Sequence, residues 1–174
     1  KFTKGPYMEW GCIKCGVEIP QDREFCDSCE DKNFRKIGGF LFLPLIGLVV
    51  TAASYLFAMT DAFKFTIENY SHLNANAKIF FMLSLVIYIG EFLFTVTVLS
   101  FFLKKKKSLP KLYILFLISI VTTMSFNTYL LYILIPGAEI GYNELEPVFR
   151  NVITALIWIP YFITSVRVKR TFIR

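Results

Sequence analysis

The chain has 174 residues, 55% of them hydrophobic, with a formal net charge of +6. Soluble domains carry about 45–50% apolar residues, and the surplus here is gathered into four runs, which excludes an ordinary water-soluble globular fold. The positive charge is gathered too, beside those runs, so it reads as membrane anchoring and no nucleic-acid partner is expected.

The first 35 residues form a polar tail, with 7 basic and 7 acidic residues up to Lys36. In this tail "CIKCGVEIPQDREFCDSC" places Cys12, Cys15, Cys26 and Cys29 as two CxxC pairs, with ten residues between them. Two such knuckles supply four thiolates in a tetrahedral array, so the expectation is a structural zinc site with a full coordination shell and no open position for water. The spacer is shorter than in many zinc sites, yet it allows a minimal two-stranded ribbon. Gly16 suits the turn after the first knuckle, whereas Glu30 stands at the matching place after the second. Metal binding is expected over two disulfides because the charge pattern puts the tail in the reducing cytosol. So small a segment would draw most of its folding free energy from the metal. It is similar to the compact zinc ribbons at the ends of many prokaryotic membrane and regulatory proteins, which implies a docking or stabilising module.

Four spans follow, at about 39–59, 79–103, 112–135 and 148–166, each near the ~20 apolar residues a transmembrane helix needs. No cleavable signal is expected, because the first apolar run follows about three dozen polar residues. The first span shows a small-residue stripe of Gly47, Thr51, Ser54 and Ala58. The second carries Ser84, Tyr88, Glu91 and Thr95 at helical spacing on one face. The third aligns Ser119, Thr123 and Asn127. The fourth alternates Asn151, Thr154, Trp158, Tyr161 and Ser165. Polar stripes avoid lipid, so they should turn inward. The expected fold is therefore all-α: a four-transmembrane-helix bundle preceded by the ribbon, with residues 1–35 as cytoplasmic ribbon and linker and 36–174 as membrane domain. Pro44 and Pro160 are expected to bend their helices.

Topology follows from the loops. The 104–111 connector "KKKKSLPK" has 5 basic and no acidic residues, and the ending "RVKRTFIR" has 4 against none. The 136–147 loop holds Glu139, Glu144 and Glu146 with no basic residue. Basic flanks stay cytoplasmic, so both termini and the connector are expected inside. Lys104, Lys105, Lys106, Lys107, Arg167, Lys169 and Arg170 would then meet the anionic headgroups of membrane lipids.

Three pieces carry a family resemblance: "IGGFLFLPLIGLVV" opening the first span, the four-span layout, and the closing "ALIWIPYFITSVRVKRTF". From about Ile37 onward the chain resembles the YdgK-like family of bacterial four-helix inner-membrane proteins, a family of unknown function. The resemblance implies a multi-pass protein of the bacterial inner membrane and no established activity.

Glu91 is the one acid inside a span. Depth counted from the helix ends at about 1.5 Å per residue puts Asn127 and Trp158 in its layer, with Tyr88 one turn away and Tyr161 further along the same stripe as Trp158. A carboxylate there without a cation requires protonation or a wet pocket, either as a working group or as an interhelical clasp. His72 and the acidic loop read as solvated. No nucleophile elbow, phosphate loop or carboxylate pair appears, so no enzymatic activity is expected. The first reading is an interaction or scaffold protein whose ribbon docks a protein partner. The alternative is a small transporter or lipid-handling protein that uses the bundle interior around Glu91. Self-association into a homo-oligomer fits this size class, although no GxxxG pair specifies it.

Overall fold

The computed structural model describes residues 10–34, 39–138 and 141–172. The domain boundary expected at 35–36, the loop acid Glu139 and Arg174 of the basic ending lie outside the described residues. In chain order the elements are α1 (Asp27–Phe34), a 3-10 turn (Gly39–Leu41), α2 (Phe42–Asn69), α3 (Ala75–Leu103), α4 (Leu109–Leu134), α5 (Tyr142–Thr164) and α6 (Val166–Thr171). Helices α2 to α5 are long and apolar enough to cross a membrane. Their broad faces carry bare apolar side chains, with Phe57 71% and Leu156 69% exposed, a surface suited to hydrocarbon and costly in water. The protein is a multi-pass membrane protein.

The helices outrun the apolar stretches. Helix α2 was expected to end near 59 and continues to Asn69, so its 28 residues span about 42 Å against a hydrocarbon core of ~30 Å. Its added turns carry Asp61, Lys64 and Glu68. Helix α3 starts at Ala75, capped by the Asn74 side chain on the Ala77 amide at 2.8 Å, and α5 starts at Tyr142. The expected 60–78 loop shrinks to residues 70–74. Apolarity marks where lipid ends, whereas a helix continues wherever its backbone bonds and caps remain favourable.

Each long helix packs on the next, α2 on α3, α3 on α4 and α4 on α5, while α2 and α5 share little contact among the described residues. The core lies at the connector end, where Leu41, Leu48, Val98, Phe102, Leu109, Tyr113 and Phe162 are buried. Tyr113 and Phe162 stack with ring centroids 4.3 Å apart. Helix α6 turns under this end and plants Phe172 edge-on against Phe102 at 5.2 Å. Towards the opposite end, α2, α4 and α5 have no buried residue beyond Tyr55, Ile120 and Ala155 among the described residues.

Three expectations are corrected on the first and fourth helices. Pro44 falls in the first turn of α2, where the missing N–H has no intrahelical partner to lose, so it bends nothing there. The packed face of α2 is Leu41, Pro44, Leu48 and Tyr55, offset from the small-residue stripe. Gly47 and Ser54 are exposed, and Gly47 has open space where a Cβ would stand. Ser165, assigned to the α5 stripe, instead caps α6, its hydroxyl accepting the Val168 amide at 3.4 Å.

Candidate functional site

The cysteine module is built by two different turns. Around the first CxxC, the Cys12 amide donates to the Val17 carbonyl at 2.8 Å and the Gly16 amide to the Cys12 carbonyl at 2.9 Å. Gly16 adopts φ +73°, a conformation cheap only for glycine. The second CxxC runs directly into α1, with the Glu30 amide donating to the Cys26 carbonyl at 2.9 Å. A helical residue needs no positive φ, which explains Glu30 in place of glycine. Asp27 and Glu30 sit in the first turn of α1, where the helix dipole favours acids. The expected two-stranded ribbon is accordingly reduced: among the described residues there is no strand, only an isolated antiparallel bridge between Gly11 and Glu18.

The four sulfurs nevertheless converge. One ligand atom from each of Cys12, Cys15, Cys26 and Cys29 lies within 4.8 Å of all the others, close to the ~3.8 Å edge of a thiolate tetrahedron built on Zn–S bonds of about 2.3 Å. They form no disulfide, and Cys15 and Cys26 approach to 3.4 Å. This donor set fits a single metal ion. Crowding splits the thiols. The Cys26 amide helps to lower Cys12 to about 6, and the Ser28 hydroxyl lowers Cys26. The neighbouring Cys26 thiol pushes Cys29 up to about 12. The Val17 amide acts to lower Cys15, but the thiols of Cys26 and Cys12 together with burial raise it on balance. Four negative charges so close together need a cation between them to coexist.

The module leans on α6, where Arg170 meets Glu24 at 3.5 Å. A charged cleft of about 600 Å³ lies there, lined among others by Asp22, Glu24, Asp27, Lys169 and Arg170. The basic residues expected at the membrane surface therefore divide. Lys104, Lys106 and Lys107 are exposed at the α3–α4 connector, Lys106 over the Phe101 ring at 5.7 Å, and Lys105 turns the chain with φ +53°. Lys169 and Arg170 face the module, and Arg167 tucks its guanidinium against Gly39.

Inside the bundle, the α3 stripe faces inward as its spacing implies: Ser84, Glu91 and Thr95 are buried and Tyr88 is half-buried. Glu91 accepts the Ser119 hydroxyl at 3.0 Å and the Thr123 hydroxyl at 3.1 Å, both from α4. Asn127 lies one layer away, accepting the Ser84 hydroxyl at 3.2 Å. Trp158 packs edge-on against Tyr161 at 5.5 Å, and Tyr161 continues to Phe40 at 6.3 Å, an aromatic group at the connector end. Neither Asn127 nor Trp158 hydrogen-bonds Glu91 among the described residues. Thr95 bonds back along its own helix to the Glu91 carbonyl at 2.7 Å.

Sequence reasoning left out Tyr55. It is 4% exposed, its ring lies 6.3 Å from that of Tyr88, and its buried hydroxyl has no hydrogen-bond partner among the described residues. The three-residue offset from Leu48 through Thr51 and Ser54 drew attention to the small residues and away from the tyrosine beside them.

Residues 34–173 match the family model described as Protein of unknown function (DUF2569). The chain belongs to that family. The DUF2569 match covers all four membrane helices and begins after the cysteines, which therefore stand in front of the family core. No curated protein and no solved structure matches the chain.

Proposed function

We infer that this DUF2569 member is a non-enzymatic inner-membrane interaction protein, with its cysteine module loaded with zinc and serving as a cytoplasmic dock for a protein partner. The observation that carries this reading is the exposure of Trp10, Ile13 and Val17, at 50%, 75% and 57%, on a module whose Glu24 is held by Arg170 of α6. Apolar side chains on a small polar module outside the hydrocarbon favour burial against another protein. The basic 104–111 connector and C-terminus support placing both termini and the module on the cytoplasmic side. The narrower likeness to YdgK-like proteins and to prokaryotic zinc ribbons agrees with this arrangement.

The test is affinity capture from gently solubilised membranes, comparing the full chain, a chain lacking residues 1–32, and the pair Ile13→Ser and Val17→Ser. A protein recovered with the full chain and lost with both variants supports docking. Identical recoveries from all three overturn it.

A further inference from the structure

A cavity of about 500 Å³ lies beyond this core, walled by all four long helices: Val50, Thr51, Ser54, Tyr55 and Ala58 of α2, Tyr88 of α3, Ile120 and Met124 of α4, and Arg150 and Asn151 of α5. Its polar groups share one layer: Arg150 and Asn151, 8 and 9 residues into α5, are level with Tyr55 and Tyr88 by the rise of the helices, while Val50, Thr51 and Ile120 lie nearer the connector end. The Arg150 side chain is 70% exposed and its pairing with Glu146 is loose, at 3.7 Å, so its charge is largely uncommitted. The Tyr55 hydroxyl, in a residue almost wholly buried in the cavity wall, lacks a partner among the described residues. Because α2 and α5 do not close over this space, its hydroxyls and guanidinium would face hydrocarbon if the cavity held nothing, an expensive arrangement.

We propose that this cavity is a binding site for one anionic phospholipid, with its phosphate on Arg150 and Asn151 and its apolar part running from that layer towards Val50 and Ile120. A guanidinium suits phosphate by offering several donors in a planar fork, and the Thr51 and Ser54 hydroxyls offer partners to the glycerol region. A volume of about 500 Å³ takes the head and the first part of a chain, and the open seam between α2 and α5 leaves the remaining chain in the bilayer. This site is separate from the cysteine module, so the docking reading stands or falls independently of it.

The test uses the full chain in nanodiscs of phosphatidylcholine containing a trace of phosphatidylglycerol that bears a photoreactive group near its head, with photoreactive phosphatidylcholine as the neutral probe. Labelled peptides are read by mass spectrometry. The expected result is labelling of peptides containing residues 50–58 and 150–151 by the acidic probe, at least tenfold above the neutral probe. It should fall at least tenfold in Arg150→Gln, be largely kept in Arg150→Lys, and be lost in the cavity-filling pair Thr51→Leu and Ser54→Leu. Excess unlabelled glycerol phosphate should not compete, which separates a lipid from a free phosphate. Equal labelling by the two probes, labelling indifferent to Arg150→Gln and to cavity filling, labelling confined to 104–111, or full competition by glycerol phosphate would each overturn the proposal.

Discussion

Glu91 of α3 and Ser119 of α4 meet across the helix interface at 3.0 Å, and among the described residues no ion pair involves Glu91. The hydroxyls on this carboxyl have second acceptors on their own helix: Ser119 can donate to the Phe116 carbonyl at 3.1 Å and Thr123 to the Ser119 carbonyl at 2.9 Å. Each hydroxyl has one proton. With Glu91 ionised, both protons turn to the carboxylate. With Glu91 protonated, its own O–H donates to the Thr123 oxygen, and the Thr123 hydroxyl donates to the Ser119 carbonyl. The clasp is satisfied in either state, by hydroxyl rotation alone.

Glu91→Gln should therefore keep the fold, because an amide can donate to Thr123 while accepting from Ser119. Its thermal unfolding in detergent should fall within a few degrees of the native protein. Glu91→Ala loses both interhelical bonds and leaves a gap, yet the hydroxyls fall back on their own carbonyls. Interhelical bonds in membranes are worth about 0.6–2 kcal/mol, so a loss of about 1–3 kcal/mol is expected. A Glu91→Ala and Ser119→Ala double-mutant cycle measures the coupling, and additivity would show that the bond contributes nothing. If Glu91→Gln also leaves every phenotype unchanged, the residue is a clasp and its proton has no role.

The four spans and the inward α3 stripe were legible because hydrocarbon and helical periodicity leave direct marks on residue choice. The partners of Glu91 were not found by counting depth from the ends of the apolar runs, because α3 and α5 start before those runs, at Ala75 and Tyr142. The tight connector at 104–108 sets the register of α3 against α4. Glu91 lies 13 residues before Lys104, while Ser119 and Thr123 lie 11 and 15 after Ser108. Counting from the connector would have paired them, and likewise Ser84 with Asn127. Tyr55 and the sparse contact between α2 and α5 were beyond this kind of reading, since side-chain volumes decide which of two adjacent α2 faces packs.

The cysteine module should bind one zinc ion per chain, with affinity that falls as pH falls. Binding requires thiolates. Cys12, lowered to about 6, and Cys26, also lowered, give up their protons readily, whereas Cys15 and Cys29 hold theirs at neutral pH and must release them to the solvent. Acid therefore competes with the metal, and release should steepen below about pH 6, where Cys12 also takes up its proton. A chromophoric zinc indicator titrated from pH 8 to pH 5 reads this directly. Cys29→Ser should weaken binding by several orders of magnitude, and a pH-independent affinity would rule out thiolate ligation.

The contact between the module and the bundle should be weak and electrostatic. The Arg170 and Glu24 side chains are 32% and 61% exposed, and pairs of this kind contribute about 0–1 kcal/mol. Arg170→Glu should leave the unfolding temperature of the membrane domain unchanged while raising hydrogen exchange across residues 10–34. Adding Glu24→Arg should restore protection. Raising salt from 50 mM to 500 mM should mimic the single variant, because screening shortens the reach of exposed charges.

Gly39 opens the turn into α2 with φ +60°, and a Cβ there would stand 2.8 Å from the Arg167 Nη1 atom. The guanidinium is the far end of a flexible side chain whose Nε is buried without a partner among the described residues, so it can yield a little at modest cost. The larger penalty is conformational, about 1–2 kcal/mol for a left-handed non-glycine residue. Gly39→Ala should therefore lower stability by about that amount, and Gly39→Asn by less, since asparagine tolerates this region better. Combining Gly39→Ala with Arg167→Ala separates the two causes. If the double variant regains stability over Gly39→Ala alone, the guanidinium clash is the main cost. If it does not, the backbone conformation is.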